Sequence, residues 1–99
     1  MTVAEAMKKM ILLSNGNRHD INHFLKVHAY AAAIGACEGL PEDTLQTLEL
    51  AAIVHDIACP LCREKYGNTN GNYQQLEGAS LTREFFAGTD VPAEQLERI

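Results

Sequence analysis

Three side chains of this sequence have the types and spacing to hold a divalent cation. His55 and Asp56 stand together at the end of an apolar run, LQTLELAAIVHDIA, and His23 lies on another apolar stretch roughly thirty residues upstream. Imidazole offers a neutral nitrogen and aspartate a charged oxygen, a mixture that suits Mn, Fe, Ni, Zn or Mg in an open coordination sphere. A metal held that way points to hydrolysis of a phosphate ester. In helical register His55 falls on the stripe of Leu45, Leu48 and Ala52, facing the interior, with Asp56 about 100° further round. His23 leads the inward stripe of Val27, Ala31 and Ile34. His28, about 140° round from His23, reads as packing or hydrogen bonding elsewhere. A plainer reading stands beside this one, in which Asp56 caps a neighbouring turn and His55 is a hydrogen-bonded core histidine. The dipeptide alone does not discriminate, because His19-Asp20 repeats it in a polar segment that reads as a helix start.

The elements that must position these residues are helical. An amphipathic stretch from Val3 to Leu13 stops at Ser14-Asn15-Gly16-Asn17. A second helix runs from about Asp20 to Cys37, with Phe24, Leu25, Val27, Ala31 and Ile34 apolar and Ala31-Ala32-Ala33 small enough for close approach. Its apolarity predicts a central place. Leu40-Pro41-Glu42-Asp43 opens a third helix that carries His55-Asp56 near its end. A short segment from Cys59-Pro60 to Tyr66 follows, then a loop from Gly67 to Asn72 that reads as a lid. The fourth helix, about Tyr73 to Phe86, is expected to bury Leu76, Ala79, Leu81, Phe85 and Phe86, with Gly78 marking a close backbone contact. A last helix begins near Asp90 and runs to Ile99. The expectation is an all-α bundle of about five helices in one domain spanning 1–99, the second and third helices antiparallel neighbours at its centre.

Composition narrows the function classes. With 99 residues and 46% hydrophobic content, a modest single core is expected. A net charge of −5 argues against a grip on duplex nucleic acid, yet a local metal can still draw a small anionic substrate. No window reads as a membrane span or signal peptide, which predicts a cytoplasmic protein. Cys37, Cys59 and Cys62 read as reduced thiols.

The stretch HFLKVHAYAAAIGACEGLPEDTLQTLELAAIVHDIA resembles the front half of HD-superfamily metal-dependent phosphohydrolases, and EKYGNTNGNYQQLEGASLTREFF is similar to a group of small bacterial HD proteins. The resemblance spans roughly positions 18–99 and implies an all-helical HD bundle. It also implies that His23, His55 and Asp56 are metal ligands, with Asp56 catalytic in holding the metal and orienting water. The implied substrate is a small phosphorylated molecule, nucleotides foremost. Arg18, Lys26 and Lys65 are the basic residues proposed to bind its phosphate. The chain departs from the family pattern at Ala58, where Gly is usual after His-Asp-Ile, and at Gln74 and Gln75, where many members carry a histidine for a second metal. The family continues past the equivalent of Ile99 to further helices and a final metal-binding aspartate. On that comparison the bundle lacks its last helices and reads as a fragment or a truncated version, which predicts weak metal binding, little hydrolysis and self-association into a homo-oligomer. Two rival readings are a non-catalytic HD module that binds metal or nucleotide, and a zinc or redox element at Cys59-Pro-Leu-Cys62. Pro60 at the start of a helical turn also explains that cysteine spacing structurally.

Overall fold

The computed structural model of the chain describes residues 1–68 and 71–99, and all the regular structure among them is helical. Six helices follow in order: α1 (Val3–Leu13), α2 (Arg18–Cys37), α3 (Glu42–Val54), α4 (Cys59–Tyr66), α5 (Gly71–Phe86) and α6 (Ala93–Arg98). The all-α expectation holds. The sixth element is α4, read from sequence as a short segment; Pro60 sits in its first turn, where a missing N–H is harmless, and Gly67 closes it at φ 76°. Both α2 and α5 begin two residues earlier than expected, at Arg18 and Gly71. Asn17 supplies the α2 cap by accepting the Asp20 amide at 3.0 Å. Of the loop expected over Gly67 to Asn72, Gly71 and Asn72 belong to α5, while Thr69 and Asn70 lie outside the described residues.

α2 and α3 are antiparallel neighbours, as three pairs taken in turn along them show. Gly35 meets Leu45, His28 bonds Glu49 at 3.0 Å, and His23 meets His55. Gly35 marks a close approach between the two helices. A β-carbon there would lie 2.6 Å from Leu45 Cδ1 and 3.1 Å from Leu48 Cδ2. The buried face of α2 is accordingly Phe24 and Gly35 with His28 half-buried between, while Ile34 is turned out to solvent. α3, not α2, is the central helix, contributing Leu50, Ile53 and Val54 to a core shared with Ala6, Met10, Phe24, Phe85 and Phe86. Leu76 and Ala79 of α5 are exposed, contrary to expectation, because α5 buries only its C-terminal aromatic pair in that core.

One segment, Glu42–Tyr66, contains an 18-residue window of mean hydropathy 1.3, contrary to the expectation that no window has the apolarity of a membrane span. It is two helices separated by the turn at residues 55–58, and 44% of that window is buried inside the protein. Core packing accounts for that apolarity. α6 is tied back to α3 by Gln95, whose side-chain nitrogen donates to Gln46 Oε1 at 3.3 Å and Thr47 Oγ1 at 3.1 Å.

Candidate metal centre

α3 ends at Val54, and the chain turns through residues 55–58 before α4 begins. Asp56 therefore sits in a turn, where its carboxylate can swing to the side on which His55 projects. His23, one turn into α2, faces both. His23 Nε2 lies 3.0 Å from Asp56 Oδ2, His55 Nε2 lies 3.1 Å from the same oxygen, and the two imidazole nitrogens are 3.3 Å apart.

That triangle suits a cation. Ligand atoms about 2.1 Å from a metal are separated by about 3.0 Å in octahedral and about 3.4 Å in tetrahedral coordination, so its sides match one face of either polyhedron. His55 Nδ1 donates to the Ala52 carbonyl at 2.7 Å. A carbonyl oxygen only accepts, so Nδ1 carries the proton and neutral His55 presents a lone pair at Nε2, the arrangement that orients metal-bound histidines. With both Nε2 atoms unprotonated, the three atoms would face one another as acceptors, an arrangement that a cation would satisfy. Among the described residues, His23, His55 and Asp56 are the group of such donors lying within 4.8 Å of one another.

The site is open on one side. The side chains of His23, His55 and Asp56 are 47%, 35% and 30% exposed, so neither histidine is the interior residue that its stripe predicted. Such exposure leaves coordination positions for water or substrate. Behind the site, Asp20 and Asp56 line a narrow crevice with Ser14, Phe24 and Pro60, and Asp20 is ion-paired to Arg63. This pair braces the start of α2 against α4. His19 lies parallel to His23, with planes 7° apart, but its ring centroid is 6.5 Å away and its side chain is 89% exposed, so it does not hold His23 in place. The Asp20–Arg63 support is not anticipated from the sequence; the repeated His19-Asp20 dipeptide, on the same helix as His23, is the available signal.

On the other side, His55 borders a cleft of about 470 Å³ between α3, α5 and α6, with Gln74, Gln75 and Arg83 on the α5 wall. The structure does not bring the expected phosphate-binding residues here. Lys65 donates to Glu77 at 2.9 Å and lies over the Tyr66 ring, clamping α4 to α5. Arg18 and Lys26 are exposed on α2 and line neither this cleft nor the crevice at Asp56. Gly78, expected at a close backbone contact, has nothing within 4 Å of where a β-carbon would stand.

Cys59 and Cys62 are buried and stand apart from the trio. Burial first, then the negative charge of Asp56, pushes the Cys59 thiol up to about 11. A thiol that keeps its proton is a poor metal ligand or nucleophile, so the packing account of the CPLC spacing is the better supported. His28, engaged with Glu49, takes no part in the site. No family model matches the chain, and no curated protein or solved structure is significantly similar to it.

Proposed function

We propose that this chain is a metal-dependent phosphohydrolase of the HD type, acting on a small phosphate ester such as a nucleotide or another phosphorylated metabolite. The observation that carries the reading is the convergence of His23, His55 and Asp56 on one solvent-facing point. These three residues would hold a divalent cation. When bound, such a cation acidifies water and polarises a phosphoryl oxygen. The residues themselves supply the rest. The Ala52 carbonyl holds His55 in one tautomer, and the Asp20–Arg63 pair fixes the end of α2 from which His23 projects. Asp56 contributes the negative charge of the set and, with two oxygens, can orient a water while one oxygen faces the histidines. The cleft that His55 borders is where an ester would sit.

The test is metal content and turnover of the same protein. Purified chain should take up Mn, Ni or Zn weakly, and the low phosphomonoester hydrolysis in their presence should be lost in Asp56→Ala. Stoichiometric metal with no hydrolysis of any phosphate ester would favour the second reading, a binding module in which the same trio holds metal without turnover. The openness of the donor set is the observation that favours this second reading.

A further inference from the structure

We propose that Arg83 is the phosphate anchor of the site, and that the cleft it shares with His55 takes a phosphomonoester with a compact apolar body. This rests on the hydrolase reading for the chemistry but not for the binding. Gln75, Ala79 and Arg83 are spaced i, i+4 and i+8 on α5, with Gln74, Gly78 and Thr82 in the adjacent row, so one helix face makes a wall of the cleft. Gly78 leaves that wall flat, with open space at its α-carbon.

The cleft's volume, about 470 Å³, is in the range of sites for small ligands. Its floor is aliphatic, formed by Val54, Ile57 and Leu96, whereas its polar side chains are those of the α5 wall, His55 and Glu97, with Ile99 at its edge. Among its described lining residues Arg83 is the one permanently charged cation. Its partner Glu97 is 3.8 Å away across exposed surface, longer than a charge-assisted hydrogen bond. Two basic side chains of α4 are held more closely, Arg63 by Asp20 and Lys65 by Glu77, while Arg18 and Lys26 of α2 do not line the cleft. A guanidinium is suited to gripping two oxygens of one phosphate, and a phosphate dianion would displace the weak Glu97 contact. Glu97 then repels a second phosphate, which selects monophosphates over di- and triphosphates, and the aliphatic floor selects an apolar alcohol portion over a polyol.

The experiment is calorimetric titration of the full chain with phenyl phosphate and with inorganic phosphate, in Mn²⁺ and again in chelator, on wild type, Arg83→Gln, Arg83→Lys and Lys65→Gln. Circular dichroism confirms that each variant keeps its helices. Phenyl phosphate should bind wild type more tightly than inorganic phosphate does; Arg83→Gln should weaken both by about tenfold or more, Arg83→Lys by less, and Lys65→Gln by nothing measurable. Unchanged affinity in folded Arg83→Gln, or no binding of either ligand to wild type, overturns the anchor. Equal affinity for the two ligands overturns the apolar body. Arg83-dependent binding in chelator, with no metal taken up in Mn²⁺, leaves the anchor standing and removes the hydrolase reading.

Discussion

The Nε2 atoms of His23 and His55 stand 3.3 Å apart although 32 residues separate them in the chain. With Nδ1–H of His55 given to the Ala52 carbonyl, a neutral His55 turns its Nε2 lone pair toward His23 and Asp56 Oδ2. A divalent cation at that point would take one bond from each of the three residues. Substituting His23, His55 or Asp56 by alanine should each lower affinity for Mn²⁺ or Zn²⁺ by more than about a hundredfold, since each removes a ligand and not merely its support. Asp56→Asn, nearly isosteric, should lose about as much as Asp56→Ala because it is the charge that is removed. Calorimetry against each metal checks this; retained affinity in any of the three would show that the donors are a hydrogen-bonded cluster only.

The cysteines should separate by reactivity. Cys37 is exposed, whereas Cys59 and Cys62 are buried. At pH 8 a thiol reagent should modify one cysteine of the native chain and three after unfolding. Three rapid modifications in the native state would contradict the packing role.

The raised Cys59 thiol also sets the alkaline limb of stability. Its value moves from 9.0 to about 11 on folding, so between those values the folded chain holds a proton that the unfolded chain has released. Stability falls as pH rises through that window and levels off above it. Cys59→Ala should flatten this limb in denaturant titrations run from pH 8 to 11.

Two glycines should respond in opposite directions. Gly78→Ala meets open space in mid-helix and should stabilise the chain by about 1 kcal/mol. Gly35→Ala gains the same propensity but drives a methyl into Leu45, Leu48 and Leu40, three contacts that no single leucine can relieve, and overpacking of that kind costs about 1–3 kcal/mol. Its net effect should be a loss, larger in Gly35→Val. Chemical denaturation of the two variants side by side gives both signs.

The clamp between α4 and α5 should be strongest at intermediate pH. Hydrogen bonds from Lys65 and Tyr66 hold the Glu77 carboxyl below its ordinary value of 4.5, while Glu77 holds Lys65 above 10.5. The Glu77 contribution is present above the ordinary carboxylate value and lost as pH falls through the lowered one. The Lys65 contribution is present below the ordinary lysine value and lost as pH rises through the raised one. Glu77→Gln should remove the acid-side dependence and speed amide exchange in α4, with the metal trio unaffected.

Helix periods, glycine and proline stops and apolar runs determined that this chain would be helical, because these are local signals acting within a turn or two of backbone. The same signals identified His23, His55 and Asp56 as the residue types able to share a cation, and α2 and α3 as the pair to carry them. Tertiary packing decided the rest. α2 is rotated so that Phe24 and Gly35 are buried and Ile34 is not, and Gly35, having no side chain, lets Leu45 and Leu48 of α3 come close. Periodicity could not show this, since an apolar stripe of alanines and valines is wide enough to admit several rotations. The basic residues were the least legible. A lysine or arginine goes to whichever carboxylate folding brings within reach, so Lys65 is bound by Glu77 and Arg63 by Asp20, while Arg83, with only the distant Glu97, is left on the wall beside His55. Those partners are distant in sequence or on other helices, and only the packed bundle fixes the distances that choose among them.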